Sequence, residues 1–418
     1  MTHTFHIQPG SKISGNLYIP GDKSISHRAI ILSSIAEGVT EISHLCMGDD
    51  VLNTIAVMRA LGVQITVDAD KKLARVKGVG LHGLKPSKTP LNCGNSGTAM
   101  RLLCGLLSAQ KFNSILIGDE SLMRRPMLRV AEPLRLMGAH ITLSDNNTAP
   151  IAIIGNQHLI GINYESTIPS AQVKSAILLA SLYANGEMKV REKTLTRDHT
   201  EKMLKHRGNI KIPSDISSAA FFIVAACITK HSDLIIYNVG VNPFRTGIID
   251  ILKLMGANIE LINQQFFGNE PVADIRIKYS PLHGITIPQD LISKSIDEFP
   301  VIFIAAVTAE GNTLLRGAKE LRVKESDRIA AMVKGFTTLD IKTEEYDDGV
   351  LIFGDQQFQG GCVNSFGDHR IAMAFAIAGN IANGSVVVTD CKNIATSFPE
   401  FMSTSNAVGL NIVCRDDH

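Results

Sequence analysis

One kind of helix start recurs six times along the chain, and it limits the fold more than any other feature. Ile19-Pro20-Gly21-Asp22-Lys23-Ser24-Ile25-Ser26-His27-Arg28 leads into an apolar run, and so does Leu91-Asn92-Cys93-Gly94-Asn95-Ser96-Gly97-Thr98-Ala99-Met100-Arg101. Ile168-Pro169-Ser170-Ala171-Gln172, Ile212-Pro213-Ser214-Asp215, Ile287-Pro288-Gln289-Asp290 (through Ile296-Asp297-Glu298-Phe299-Pro300) and Ser365-Phe366-Gly367-Asp368-His369-Arg370 do the same. Each is small and polar first, then apolar nearly all round, which predicts helices buried on every face. A second signature interleaves with it. Arg59-Ala60-Leu61-Gly62-Val63, Arg135-Leu136-Met137-Gly138-Ala139 and Lys253-Leu254-Met255-Gly256-Ala257 each read as helix end, left-handed glycine stop and strand.

Recurrence of this kind marks a structural repeat. The starts at 20, 92, 169, 213, 288 and 366 are separated by steps of 72, 77, 44, 75 and 78. The fourth unit is therefore short by roughly 30 residues against the others. Its glycine stop and strand pair are compressed into His206-Arg207-Gly208-Asn209-Ile210. Either a surface hairpin is lost from this protein or part of the unit is missing from the sequence; the second is favoured, because the other units all keep the element. Strands are expected at 65–67, 141–143, 151–154, 235–237, 259–262, 275–277 and 386–388. A chain of 418 residues exceeds one ordinary domain. Six units over two domains give three per domain, with helices inside and sheets outside, the reverse of the usual layering.

The unpaired N–H groups and positive dipole end of a helix attract anions. Lys23 and Arg28 at the first start strengthen that, although a capped helix with two solvated charges fits them as well. With a net charge of +1, any anion site must be local rather than a global field. Arg124-Arg125-Pro126 offers a guanidinium to a phosphate or carboxylate, or a basic surface loop. Arg322-Val323-Lys324-Glu325-Ser326-Asp327-Arg328 would place Lys324 and Arg328 on one helical face, and is equally a salt-bridged helix. Asp297 and Glu298 read as caps or as a general base among cations. His369 is a structural histidine more often than a catalytic one.

Other chemistries lose ground. There is no phosphate-binding G-x-x-x-x-G-K-[ST], no G-x-G-x-x-G after a strand and no H-E-x-x-H. The seven cysteines form no C-x-x-C pair, so free thiols in a reducing cytoplasm are expected, with no zinc site. With no tryptophan and 5% aromatics, a base-stacking surface for nucleic acid is poorly supported. No run of 18 apolar residues and no signal or transit pattern at the start point to a cytoplasmic protein without a membrane partner.

Taken together, the segments 20–28, 94–101, 322–328 and 368–370 resemble the signature segments of the 5-enolpyruvylshikimate-3-phosphate synthases, within the enolpyruvyl transferase family. The resemblance runs nearly the whole chain. It implies a two-domain inside-out α/β barrel with three βαβαββ units per domain, in which sheets cover buried parallel helices. One domain would hold 1–20 and 213–418, the other 21–212, with a hinge near 19–21 and 211–215 and an active site in the inter-domain cleft. The implied reaction transfers an enolpyruvyl group from phosphoenolpyruvate to the 5-hydroxyl of shikimate 3-phosphate, on the route to chorismate and the aromatic amino acids. No metal or cofactor is implied, and a monomer is expected.

By that resemblance Lys23, Ser24, Arg28, Ser170, Ala171, Gln172 and Arg197 hold shikimate 3-phosphate, together with Asp297 and Lys324. Phosphoenolpyruvate would be gripped by Lys23, Asn95, Ser96, Gly97, Arg125, Gln172, Arg328 and Arg370. Asp297 would take the 5-hydroxyl proton, Glu325 would protonate the methylene carbon, and Lys324 would support proton movement. Thr396 stands where one bacterial branch has a lysine, which suggests the other branch, one that often tolerates glyphosate. Gly97 lacks the methyl that would crowd that inhibitor. The sister UDP-N-acetylglucosamine enolpyruvyl transferases usually carry a cysteine or aspartate acid in the loop equivalent to 118–126; here that loop has no cysteine, and Asp119 sits too early. A non-catalytic binder of anionic metabolites would not need carboxylates facing anions.

Overall fold

The computed structural model describes residues 2–10, 12–206 and 208–417. The chain forms two compact units: one from residues up to Pro20, 213–266 and 270 onward, the other from Gly21–Ile212 with 267–269.

In the second unit three helices lie inside: Lys23–Ile35, Gly97–Leu107 and Ala171–Ser181. The middle one buries every residue except Thr98. Gly105 lets two of them touch, since a Cβ there would lie 2.1 Å from the Ala176 carbonyl oxygen. Outer helices at Asp49–Ala60, Leu128–Leu136 and His199–Leu204 alternate with them. Three sheets belong to this unit. The first orders Ile210–Lys211, Glu37–Ser43, Leu73–Val79 and Gln64–Asp68; the next orders Leu91–Asn92, Ser114–Ile117, Ile151–Ile154 and His140–Thr142. The last is only the parallel pair Asn163–Ser166 and Lys189–Glu192.

The first unit repeats the plan. Ile216–Ile228 and His369–Asn380 are buried at every residue, and Phe299–Thr308 at all but Thr308. Gly247–Leu254, Arg328–Thr338 and Phe401–Ala407 are its outer helices. Its sheets have four, four and three strands; in one of them Thr2–Gln8 pairs antiparallel with Asn411–Asp417. The all-round apolar helices are thus inside, as their sequences require. Each unit's core is one continuous apolar cluster.

Five of the six starts are closed by a side-chain cap: Asp22 accepts from the Ile25 N–H, Ser96 from Ala99, Ser170 from Val173, Asp215 from Ser217 and Asp368 from Arg370. The fifth, at Glu298, has none. The stops at Gly62, Gly138 and Gly256 have φ of +91°, +98° and +96°. Two further stops escape a search for that motif: Gly409 at +115°, and Asp340, which takes +60° without being glycine.

The expected strands are present, except that Leu143 falls outside His140–Thr142. The Arg322–Arg328 segment is not one helix. A 3-10 turn ends at Val323, Lys324 is extended with ψ −148°, and a new helix starts at Arg328 under an Asp327 cap. The helix after the paired arginines begins at Leu128. The fourth unit is compressed as its spacing requires. After His199–Leu204 the described residues form no hairpin; Gly208 turns at φ +84° and Ile210–Lys211 joins the edge of the neighbouring sheet. Arg207 lies outside the described residues. An open groove of about 480 Å³ lies there, lined by Leu32, Ile35, Leu182, Met203, Leu204 and Ile210 among others. No helix among the described residues is long and apolar enough to cross a membrane.

Candidate active site

Within the second unit the starts of the three buried helices meet. Gln172 accepts from Arg101 Nη1 (2.6 Å) and donates to Thr98 (2.9 Å), tying the Ala171–Ser181 start to the Gly97–Leu107 start. Arg28 donates from Nη2 to Ser175 (2.7 Å), from Nε to Thr200 (2.8 Å) and from Nη1 to the Ser24 carbonyl (2.9 Å). Arg197 reaches the Ser24 hydroxyl at 3.3 Å. Lys23 is paired with the buried Asp50 at 2.8 Å.

His27 joins the remaining pair. His27 Nδ1 is hydrogen-bonded to the Thr54 hydroxyl (2.7 Å), which also lies 3.3 Å from the Asp50 carbonyl. Its Nε2 meets the Ser96 hydroxyl at 3.3 Å. Burial, aided by the charges of Lys23 and Arg28, holds this imidazole well below the usual histidine range. The Ser96 oxygen also caps Ala99. An anion above this start meets the backbone N–H groups of the helix start. Asn95 bridges the next loop, donating to Asp119 (2.7 Å) and accepting from Arg125 (2.6 Å). Gly97 sits under two guanidiniums: a Cβ there would lie 2.8 Å from Arg101 Nη1 and 3.4 Å from Arg125 Nη1. Ser170, as the cap, and Ala171, as the first helical residue, open the third helix.

Two of the first unit's buried-helix starts, at Asp297 and Asp368, meet at one guanidinium. Arg328 is 1% exposed. It donates to Asp368 (2.9 Å), Glu325 (2.5 Å) and Asp297 (3.4 Å). Burial opposes its charge, but Asp368, Glu325 and Asp297 more than offset that and raise its pKa. Arg370 donates to the Asp297 carbonyl at 3.1 Å, fixing the turn that carries this carboxylate. Lys324 lies 3.7 Å from Glu320. Burial lowers its pKa, with Arg328 acting the same way and Asp297, Glu320 and Glu325 opposing. A second buried cation, Arg245, donates to Ser217 (2.6 Å) and Asp215 (3.3 Å). Ser217 in turn donates to Glu298, so two helix starts are tied side by side. Thr396 is buried and donates to the Asn393 carbonyl.

The structure therefore divides the expected residues into two sets. Lys23, Ser24, Arg28, Asn95, Ser96, Gly97, Arg125, Ser170, Ala171, Gln172 and Arg197 gather in the second unit; Asp297, Lys324, Glu325, Arg328 and Arg370 gather in the first. Asp50, Arg101, Ser175, Thr200 and Arg245 had no assigned role in the sequence reading, and each now holds a charged or polar neighbour in place. The signal for Arg101 was present: it lies one helical turn beyond Gly97 in the same motif.

Three converging helix starts per unit, lined with arginine and lysine and interrupted by a few carboxylates, define a protein that handles small anions and moves protons among them. The family model for EPSP synthase (3-phosphoshikimate 1-carboxyvinyltransferase) matches residues 7–209 and 205–404. The 3-phosphoshikimate 1-carboxyvinyltransferase of Alkalilimnicola ehrlichii is 50% identical over 433 residues, covering 99% of this chain and 97% of the relative. That of Methylococcus capsulatus is 51% identical over 429 residues, covering 98% of each. A solved structure of EPSP synthase from Acinetobacter baumannii superposes with a TM-score of 0.88 at 46% identity, covering 99% of this chain and 100% of that one. The enolpyruvyl transferase NikO from Streptomyces tendae shares the fold at 14% identity, with a TM-score of 0.80 over the whole of both chains. The chain belongs to the EPSP synthase family. The two pieces of the family match meet at 205–209, inside the compressed fourth unit.

Proposed function

We propose that this protein transfers the enolpyruvyl group of phosphoenolpyruvate to the 5-hydroxyl of shikimate 3-phosphate and releases phosphate. The reaction is an addition–elimination through a tetrahedral intermediate, in the shikimate pathway to chorismate and the aromatic amino acids. The observation that carries the mechanism is the Arg328 cluster, in which three carboxylates and Lys324 surround a buried guanidinium at helix starts. Family membership supplies the substrates.

In this reading the second unit's set supplies anion recognition. Arg28, Arg197, Ser24, Ser170, Ala171 and Gln172 hold the shikimate phosphate and ring. Asn95, Gly97 and Arg125, with Arg328 and Arg370 from the other set, hold phosphoenolpyruvate. Ser96 and Gln172 complete that set. Lys23 serves both substrates. These fixed cations offset the repulsion between two polyanions, which is what lets them react as neighbours. Asp297 and Lys324 also bind the acceptor.

Asp297 removes the 5-hydroxyl proton as that oxygen attacks the enol carbon. Glu325 delivers a proton to the methylene carbon. Lys324 relays or stabilises charge between them. Elimination reverses the proton at the methyl group and expels phosphate toward the arginines. The crossings near 19–21 and 211–215 are proposed as the hinge. The acting species is taken as a cytoplasmic monomer that uses small molecules, with no nucleic acid, membrane or metal partner.

Purified protein is expected to release phosphate only when shikimate 3-phosphate and phosphoenolpyruvate are both present. Phosphate released with a UDP-sugar acceptor, or from phosphoenolpyruvate alone, overturns the reading.

Two further outcomes follow from the geometry. The Lys324 ammonium, with its pKa lowered by burial, is lost at a lower pH than an ordinary lysine. The basic limb of the kcat profile should therefore fall below the usual lysine range, near pH 10.4. Lys324→Arg should move that limb upward even as it slows turnover; an unmoved limb removes Lys324 from the proton path. Gly97→Ala pushes a methyl against Arg101, which must swing off Gln172. KM for phosphoenolpyruvate should rise about tenfold, as expected for one lost charged hydrogen bond. An unchanged KM shows that Arg101 has room to yield.

A further inference from the structure

The compressed fourth unit poses a physical problem. His199–Leu204 has six residues and, among the described residues, no hairpin of its own to lie against, yet Thr200 on it supports Arg28. This helix packs against the first buried helix, Lys23–Ile35, and a pair of adjacent side-chain contacts ties it to the third. Lys174 and Ser175 are consecutive on the third buried helix; Thr200 and Glu201 are consecutive on the short one. Lys174 Nζ lies 2.9 Å from Glu201 and 2.7 Å from Glu192. It also donates to the Thr196 carbonyl at 3.3 Å. The Lys174 and Glu192 side chains are each 8% exposed. Thr196 donates to the other Glu192 oxygen.

Beside this ion cluster the donors and acceptors settle into one pattern. Ser175 Oγ–H donates to the Ala171 carbonyl at 2.7 Å. The Thr200 hydroxyl, 2.7 Å away, then donates to Ser175 Oγ. Both oxygens keep room for a donor, and Arg28 fills it with Nη2–H to Ser175 and Nε–H to Thr200. The guanidinium is thus oriented along one edge by two hydroxyls, whose spacing depends on the helix that Lys174 pins.

Resting on the function proposed above, we propose that Thr200 and Lys174 are positioning residues for shikimate 3-phosphate. Thr200, with Ser175, sets the plane of the Arg28 guanidinium. Lys174 holds Thr200 in reach by clamping Glu201 and Glu192, and it carries the Thr196–Arg197 turn along with them. Neither residue touches the substrate. The ion cluster does the anchoring that a hairpin would otherwise provide in this unit.

The test compares Thr200→Val, Thr200→Ser and Lys174→Met in steady-state kinetics against both substrates. Thr200→Val keeps the shape and removes the acceptor for Arg28 Nε. KM for shikimate 3-phosphate should rise about tenfold or more, the scale of a lost hydrogen bond to a charged group. KM for phosphoenolpyruvate should stay within about twofold and kcat within about threefold, well inside that scale. Thr200→Ser, which restores the acceptor, should return toward the wild-type KM. Lys174→Met should move KM in the same direction as Thr200→Val. A merely structural role predicts a lower melting temperature and a smaller active fraction with both KM values unchanged; that result, or equal rises in both, overturns the proposal. If Lys174→Met fails to fold, the two Thr200 variants decide the matter. Wild-type protein inactive with both substrates sinks the functional reading and this inference together. Active wild type with an unmoved Thr200→Val KM sinks this inference alone.

Discussion

Asp297→Asn is expected to lower kcat by about 10²- to 10⁴-fold, the usual span for loss of a general base. The asparagine oxygen can still accept from Arg328, and the Asp297 carbonyl that holds Arg370 belongs to the backbone. Binding of both substrates should therefore survive, which calorimetric titration with shikimate 3-phosphate can check. Affinity lost in step with turnover would reduce Asp297 to a binding group alone and leave the 5-hydroxyl without its base. Lys23→Ala should fail by the other route. It leaves the buried Asp50 without its 2.8 Å partner at the anion end of the helix, so affinity should fall before chemistry does.

The second large effect concerns Arg328→Met. Three carboxylates converge on this side chain, and Asp368 is fully buried. Removing the guanidinium leaves these like charges facing one another without the group that all three share. Breaking a buried pair in this way costs about 3–5 kcal/mol. Denaturant unfolding should show that loss in the first unit's transition, and phosphoenolpyruvate binding should disappear with it. Arg328→Lys keeps the charge but cannot fork to three acceptors, so it should recover part of the stability and little of the binding. A methionine variant as stable as wild type would mean that the carboxylates are not held as a charged set.

Where the chain signals were local, they were readable. Phe299–Thr308 and Ile216–Ile228 are apolar on every side, and a helix of that kind can only be interior. Asp22, Ser96, Ser170, Asp215 and Asp368 announced their helix starts because a short polar side chain is what an unpaired N–H needs. The glycine stops were legible at three places and hidden at Asp340, where a non-glycine residue adopts the left-handed turn. The charge spacing of Lys324 and Arg328 suggested one helix, but the Ser326-Asp327 pair just before Ile329 was the better signal, since Asp327 caps a new one.

What stayed invisible was the set of residues that hold others. Thr200 and Arg28 are 172 positions apart, and Ser217 and Glu298 are 81 apart. Neither period nor composition links such pairs. Arg245 reads as a loop arginine until the fold places it between Asp215 and Ser217. The cysteines gave little functional signal for a related reason. Cys93, Cys104, Cys227 and Cys391 are buried in apolar surroundings that push each thiol up to about 12, where it is inert.

The most direct measurement follows the carbon skeleton. Phosphoenolpyruvate labelled with carbon-13 at its enol carbons is mixed with shikimate 3-phosphate and the wild-type protein, and the label is tracked by NMR. The proposed chemistry predicts that the labelled carbons reappear as an enol ether joined to the 5-oxygen of the acceptor, with one phosphate released for each one formed. Label appearing as pyruvate, or on any other oxygen of the acceptor, contradicts it.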